Sequence, residues 1–364
     1  MYSITCENCF KGKKQKTMYC EGRFTMKKIL ALLTMVVMIV GLTACGGSKD
    51  KTTSKPEETK ETTSSGETSE TSGKAEDSNI RVGVILKTLS SEYWSYVAAG
   101  VKQAGEDLGV TVDLQGPASE TAYDEQNNMI ETMLSSPDLD AFVISPLQPD
   151  SVVSVIGDTK VPVLFVDTDA PYENKVSYIG TGNYEAAYLG GEYAAKKAGK
   201  GAKAVIIGGV QGNTSSDERE RGYREALEAN GVELAAVQYA EGLADKATSI
   251  MENLLTSLDN DVDIVLCNND EIATGASRSV EQAGLNDVII VGFDGIQAGV
   301  QNVVDGKFTA TVAQSPFDMG YSAVEKAVAA AKGEDVMKYI DTGAIVITSE
   351  NAETYLAELK SKLE

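Results

Sequence analysis

At 364 residues, with 42% hydrophobic and 6% aromatic side chains, the chain is long enough for two globular domains with small aliphatic cores. Its formal charge of −22 repels phosphate backbones and argues against nucleic acid as a partner. The absence of histidine removes the usual general base, the Ser-His and Cys-His nucleophile pairs and most zinc sites.

In chain order, residues 1–25 are basic and patternless, and Cys6-Glu7-Asn8-Cys9 lacks the second pair that a metal knuckle needs. The segment reads as an upstream extension, with the true start at Met26. Lys27-Lys28 then forms a positive n-region and Ile29–Val40 an apolar run too short for a comfortable membrane span. Leu42-Thr43-Ala44-Cys45 closes this segment and resembles the bacterial lipoprotein box, which implies lipidation of Cys45. Removing residues 1–44 takes seven Lys/Arg and two Asp/Glu with it, leaving 25 basic and 52 acidic residues and a net charge of −27. Residues 46–78 are mostly Ser, Thr, Glu, Lys and Gly without apolar period, the composition of a disordered tether running on from Cys45.

From Asn79 the pattern alternates strand and helix. Strands are expected over Ile80–Leu86, Val110–Leu114, Ala141–Ile144, Val161–Val166 and Val176–Ile179. Helices are expected over Glu92–Leu108, Ala122–Leu134, Asp150–Ile156 and Tyr184–Ala198. A second series has strands Ala204–Ile207, Val232–Gln238, Ile264–Cys267, Val288–Phe293 and Phe308–Ala313, with helices Ser215–Ala229 and Asp245–Leu258 among them. Helix Met319–Ala331, a single strand Tyr339–Ile347 and helix Ser349–Leu363 end the chain. Two successive βα series imply an α/β protein of two doubly wound, Rossmann-like lobes. Of the five cysteines only Cys267 belongs to this folded part, so no internal disulfide is expected there; it reads as a buried structural thiol.

Polar residues cluster at the carboxyl ends of the strands, where open α/β sheets bind ligands. Asn269, Asp294 and Gln314 end three successive strands of the second series and are expected to converge on one crevice. In the first series, the loop after the opening strand carries Lys87, Ser91, Tyr93 and the chain's only tryptophan, Trp94, a ring suited to the C–H face of a sugar. Asp167 follows a strand end, with Asp169 two residues on. Of Arg219 and Arg221, which cannot both face one side of their helix, Arg219 is expected to reach the crevice.

Val291-Gly292-Phe293-Asp294-Gly295, Asn268-Asn269-Asp270-Glu271, Ala310-Thr311-Val312-Ala313-Gln314-Ser315-Pro316 and Glu218-Arg219-Glu220-Arg221-Gly222 together resemble the ribose- and galactose-binding class of periplasmic binding proteins. The resemblance runs from about residue 79 to 348. It implies the type I fold, in which three hinge crossings join the lobes, here near Gly182-Asn183, Gln314-Ser315 and Lys338–Asp341. The lobes would then comprise residues 79–182 plus 315–340 and 183–314 plus 341–364. It implies Ser91, Tyr93, Trp94, Asp167, Arg219, Asn269, Asp294 and Gln314 as ligand contacts. Two departures bear on the ligand: Thr168 stands where ribose binders have an arginine, and Glu241-Gly242-Leu243-Ala244 stands where many relatives carry an aromatic residue. Asp167-Thr168-Asp169-Ala170-Pro171, with Lys87, is similar to the branch that binds rhamnose, polyols or a furanosyl signal.

The expected function is that of the substrate-binding component of an ABC importer, exported and lipid-anchored to the outer face of the cell membrane. It is expected to act as a monomer, closing on a monosaccharide or polyol and delivering it to a permease, with no catalytic group, cofactor or metal. The alternative is a receptor that reports the same ligand to a chemotaxis or quorum-sensing partner. A dinucleotide enzyme is disfavoured because Gly208-Gly209-Val210-Gln211-Gly212 lacks the Gly-x-Gly-x-x-Gly spacing. A sugar-responsive repressor lacks its basic headpiece.

Overall fold

The computed structural model of the chain describes residues 80–361. The expectations for the signal segment, Cys45 and the tether lie outside them. The chain runs β1 (Arg81–Ile85), α1 (Glu92–Leu108), β2 (Thr111–Gln115), α2 (Tyr123–Leu134), β3 (Ala141–Ile144), α3 (Pro149–Ile156), β4 (Val163–Val166) and β5 (Ser177–Gly180). It continues with α4 (Asn183–Ala198), β6 (Lys203–Gly208), α5 (Thr214–Ala229), β7 (Glu233–Tyr239), α6 (Ala244–Ser257), β8 (Ile264–Cys267), α7 (Asp270–Gln282) and β9 (Ile289–Asp294). It ends with α8 (Gln297–Val304), β10 (Ala310–Ala313), α9 (Pro316–Ala331), β11 (Tyr339–Asp341), β12 (Ile345–Thr348) and α10 (Ala352–Ser361).

Two six-stranded sheets result, ordered β11-β5-β4-β3-β1-β2 and β12-β10-β9-β8-β6-β7. All neighbours are parallel except β12, which pairs antiparallel with β10. The central strands, such as Ala141–Ile144 and Ile264–Cys267, are buried at every position because helices cover both faces, which is why they read as unbroken apolar runs. Each sheet reverses its winding direction once, between β1 and β3 and between β6 and β8, and a crevice opens beyond the carboxyl ends of the strands at such a point. The two sheets thus carry the same topology.

The chain passes between the sheets three times. The first passage is Thr181-Gly182, between β5 and α4; the second is Gln314-Ser315, between β10 and α9. The third corrects the expected single strand Tyr339–Ile347. Tyr339–Asp341 pairs with β5 in the first sheet, whereas Ile345–Thr348 pairs with β10 in the second. Thr342-Gly343-Ala344 makes the change, with Gly343 at φ 74°, a left-handed conformation that costs glycine nothing. The passage therefore falls just after the expected Lys338–Asp341, because alternation in sequence does not reveal which sheet a strand joins.

Helices α1 and α9 pack on each other through Gly100 and Gly320. A Cβ on either would strike a backbone carbonyl of the facing helix, Phe317 O or Val97 O. Gly222 does the same for α5 against α4. Cys267 is a free, buried thiol whose pKa burial pushes up, consistent with an inert packing role.

Candidate functional site

A cleft lies at the carboxyl ends of both sheets, with about 60 Å³ open to water-sized groups. The loops after the two winding reversals supply much of it: residues 87–94 after β1, 209–216 after β6 and 268–271 after β8. Lys87, Ser91, Tyr93, Trp94, Asp167, Arg219, Asn269 and Asp294 all line it.

On the side of the first sheet, Asp167 sits immediately past β4 with φ 65°. It is buried and heavily partnered. Lys87 Nζ lies 3.3 Å from its Oδ2, Tyr93 donates its hydroxyl to Oδ1 at 2.8 Å, and Thr168 donates to Oδ2 at 2.8 Å. Burial alone would raise its pKa, but Lys87, Arg219 and these hydroxyls outweigh burial and hold the carboxyl below its ordinary range. Asp167 is therefore an anion, an acceptor for ligand hydroxyls. Trp94 stands edge-on to Tyr93, with ring centroids 5.2 Å apart and planes at 89°. Its Nε1–H donates to Glu120 at 2.8 Å, and Lys87 lies 5.6 Å from its ring centroid. The ring is thus fixed at three points.

On the side of the second sheet, Asp294 ends β9 with φ 111°. Gln314 Nε2 donates to its Oδ1 at 2.8 Å, and Arg219 Nη1 lies 3.5 Å from the same oxygen. Arg219 is itself divided. Its Nε donates to Asn183 Oδ1 at 2.7 Å, its Nη1 to the Asn268 carbonyl at 3.0 Å, and its guanidinium stacks 3.9 Å from the centroid of Phe293. Burial pushes the Asp294 carboxyl well above its ordinary value; Arg219 and Gln314 oppose this, while Asp270 and Asp167 add to it. Asp270, wholly buried behind it, accepts from Thr311 Oγ1 at 2.6 Å and from the Ile296 amide at 3.1 Å, and burial pushes its pKa up to about 7. Arg221 turns away and stacks over Tyr184 at 4.3 Å.

Two expected residues are placed elsewhere. Asp169 does not line the cleft: it holds Lys175 at 2.5 Å, on the side where the first passage between the sheets runs. Gln314, one residue past the end of β10, is buried and does not line the cleft; it reaches the site only through its bond to the Asp294 carboxylate. Asn269 lines the cleft, but its Oδ1 accepts from the Ile272 amide as the cap of α7, leaving its amide nitrogen for a ligand. Gly242 lines the wall where relatives were expected to carry an aromatic residue, so backbone forms that side.

The loop after β6 contributes more than its sequence suggested. Gly209, Val210, Asn213, Ser215 and Ser216 all line the cleft. A Cβ on Gly209 would come within 2.8 Å of Asn268 Oδ1 and 3.1 Å of Ser216 Oγ, so this loop packs closely on those side chains. Asn213 donates across to the Leu147 carbonyl at 3.2 Å, and the Ser215 and Thr168 hydroxyls share a hydrogen bond of 3.1 Å. These bonds join loops of the two sheets and hold the cleft shut. The signal for them was the position of this loop at the β6–β8 reversal.

Comparison with known proteins agrees with this geometry. The model of the periplasmic binding protein domain matches residues 82–335. The ribose import binding protein of Salmonella typhimurium is 34% identical over 263 residues, covering 70% of this chain and 86% of that protein. The D-allose-binding periplasmic protein of Escherichia coli is 30% identical over 267 residues, covering 70% of this chain and 85% of that protein. Among solved structures, an ABC transporter solute binding protein from Agrobacterium vitis with bound D-fucose superposes with a TM-score of 0.72 at 28% identity, covering 77% of this chain and 99% of that one. The chain belongs to the periplasmic binding proteins, in their type I sugar class.

Proposed function

We propose that this protein is the substrate-binding component of an ABC importer and that it closes on a monosaccharide or related polyol. One observation carries the reading: two buried aspartates, Asp167 and Asp294, each with a cationic partner, line one cleft from opposite sheets beside a fixed tryptophan. Lys87, Ser91, Tyr93, Trp94, Asp167, Arg219, Asn269 and Asp294 are the proposed ligand contacts, with Gln314 acting through Asp294. Each half supplies part of the hydrogen-bond set, so a polyhydroxy ligand binds the closed form better than an open one, and that difference drives closure. Release requires breaking the Asn213–Leu147 and Thr168–Ser215 bonds. Rejection of deoxy analogues follows from the cost of leaving a buried partner unpaired.

Relatives that bind ribose and allose support a sugar over other polar ligands. The replacement of an arginine by Thr168 favours an aldose or polyol other than ribose. We further propose export, lipidation at Cys45 and a tether of about 30 residues that keeps a monomeric protein near its permease at high effective concentration. A thermal-shift screen against pentoses, hexoses, deoxysugars, inositols and polyols tests the function. The cognate ligand raises the melting temperature in a saturable way and is recovered unaltered; a modified product would replace this reading with catalysis. Loss of palmitate labelling in Cys45→Ser tests the anchor.

A further inference from the structure

Gln126, on α2, is wholly buried and does not line the cleft, yet it holds two of the loops that build the first lobe's side of it. Its Nε2 donates to the Ser145 carbonyl at 2.9 Å and to the Leu86 carbonyl at 3.3 Å. Its Oε1 accepts from the Leu147 amide at 2.8 Å. Leu86 and Ser145 stand one residue past β1 and β3, whose pairing ends at Ile85 and Ile144. Beyond that point the two chains part at the winding reversal, and a buried carbonyl that leaves a sheet must find another partner. A glutamine carries a donor and an acceptor on one head, and Gln126 uses both to span the gap.

Both tethered loops bear on the site. Leu86 precedes Lys87, whose Nζ lies 3.3 Å from Asp167 Oδ2 and 5.6 Å from the centroid of the Trp94 ring. Leu147 is gripped from two sides. Gln126 takes its amide, while its carbonyl accepts from Asn213 Nδ2, in the loop after β6, at 3.2 Å. The second sheet offers an independent parallel. Asn268 stands one residue past β8, as Ser145 does past β3, and its carbonyl is taken by Arg219 Nη1 at 3.0 Å. There the side chain that closes the strand end is itself a cleft residue; in the first sheet the same task falls to one that does not line the cleft.

We propose that Gln126 is a positioning residue: it fixes the loops after β1 and β3 so that Lys87 meets Asp167 and the Leu147 carbonyl meets Asn213, and the closed cleft depends on it. The inference rests on this cleft being the ligand site, but its test needs no ligand, so the two can fail separately. Trp94 is the chain's only tryptophan and is 2% exposed, so the fraction of its emission quenched by acrylamide in the ligand-free, full-length protein reports opening of the cleft. Gln126→Met should raise that fraction about fivefold, the effect of one lost neutral hydrogen bond. Asn213→Ala should raise it too, and the double variant no further than Gln126→Met, because both act through Leu147. Ile130→Ala empties a buried position one turn along α2 without removing a bond to either loop; it should destabilise the fold yet leave the fraction unchanged. Gln126→Glu adds a pH profile. Protonated, it keeps an O–H for Ser145 and a carbonyl for Leu147, and it should match the wild type below the ordinary glutamate pKa of about 4. Ionised, it faces two carbonyls and should approach Gln126→Met as pH rises. The proposal is overturned by a wild-type Trp94 already quenched in full, by additive effects in the double variant, or by an Ile130→Ala effect as large as that of Gln126→Met. A Gln126→Glu variant that is flat with pH, or that fails to fold even when protonated, would overturn it as well.

Discussion

Asp167 and Asp294 follow or end the fourth strand of equivalent sheets, both at positive φ and both buried, yet their chemistry diverges. Asp167 has a lysine, a tyrosine and a threonine as close partners, and with Arg219 these hold its carboxyl below the ordinary range. Asp294 shares one arginine with Asn183 and the Asn268 carbonyl, keeps only Gln314 as a close partner, and lies in front of a second buried carboxyl, Asp270. The same backbone position thus yields a carboxyl held below its ordinary range in one lobe and one pushed well above it in the other. Burial is common to both; the Lys87 and Arg219 charges outweigh it at Asp167, whereas Arg219 and Gln314 do not at Asp294. In the second lobe, ligand hydroxyls would supply further donors, so binding should lower the Asp294 carboxyl from its raised value.

The largest expected effect tests the acid behind this contrast. Asp270 has its folded pKa raised to about 7 against about 4 in the unfolded chain. The folded state therefore holds the proton more tightly, and the stability it contributes is lost as pH rises between those values. Asp270→Asn removes that dependence. Its stability relative to wild type should climb by about 1.4 kcal/mol per pH unit from about pH 4 to about pH 7 and level off above, as read by urea unfolding at each pH. A flat difference would mean that Asp270 is ionised throughout.

Next, Lys87→Met strands the buried Asp167 carboxylate and should cost about 3 kcal/mol of stability at neutral pH. A loss under about 1 kcal/mol would show that Tyr93 and Thr168 suffice to hold the charge. Third, Asp294→Ala should weaken binding of the cognate ligand by about 2 kcal/mol, roughly thirtyfold. Calorimetric titration decides, and unchanged affinity would remove Asp294 from the site. The smallest effect belongs to Gln314→Ala, which touches the ligand only through Asp294 and should cost about 1 kcal/mol of affinity. An equal or larger loss than in Asp294→Ala would mean that Gln314 contacts the ligand directly.

Much of this architecture was legible because parallel strands buried on both faces announce themselves as short aliphatic runs, and because polar residues stop those runs where sheets bind ligands. Val291–Asp294 and Ile264–Asn269 are of this kind. What stayed hidden depended on which sheet a segment joins and on what stands behind a side chain. Tyr339–Ile347 is continuous in pattern but split in space. Gln314 and Asn269 share a polar character and a strand-end position, yet one faces the cleft and the other props up Asp294. Asn213, Ser215 and Ser216 follow a glycine-rich loop that resembles a nucleotide loop only until its packing against Asn268 is seen.

The third passage between the sheets bears on how the protein is made. Strand β11 closes the edge of the first sheet and β12 that of the second, and only three residues, Thr342 to Ala344, separate them. Helix α9, which covers α1 more than two hundred residues upstream, is also synthesised late. A ribosome-bound chain that ends before Asp341 can complete neither half. Each half is therefore assembled from separated stretches of the chain, and no contiguous fragment contains all the strands of one sheet without crossing into the other.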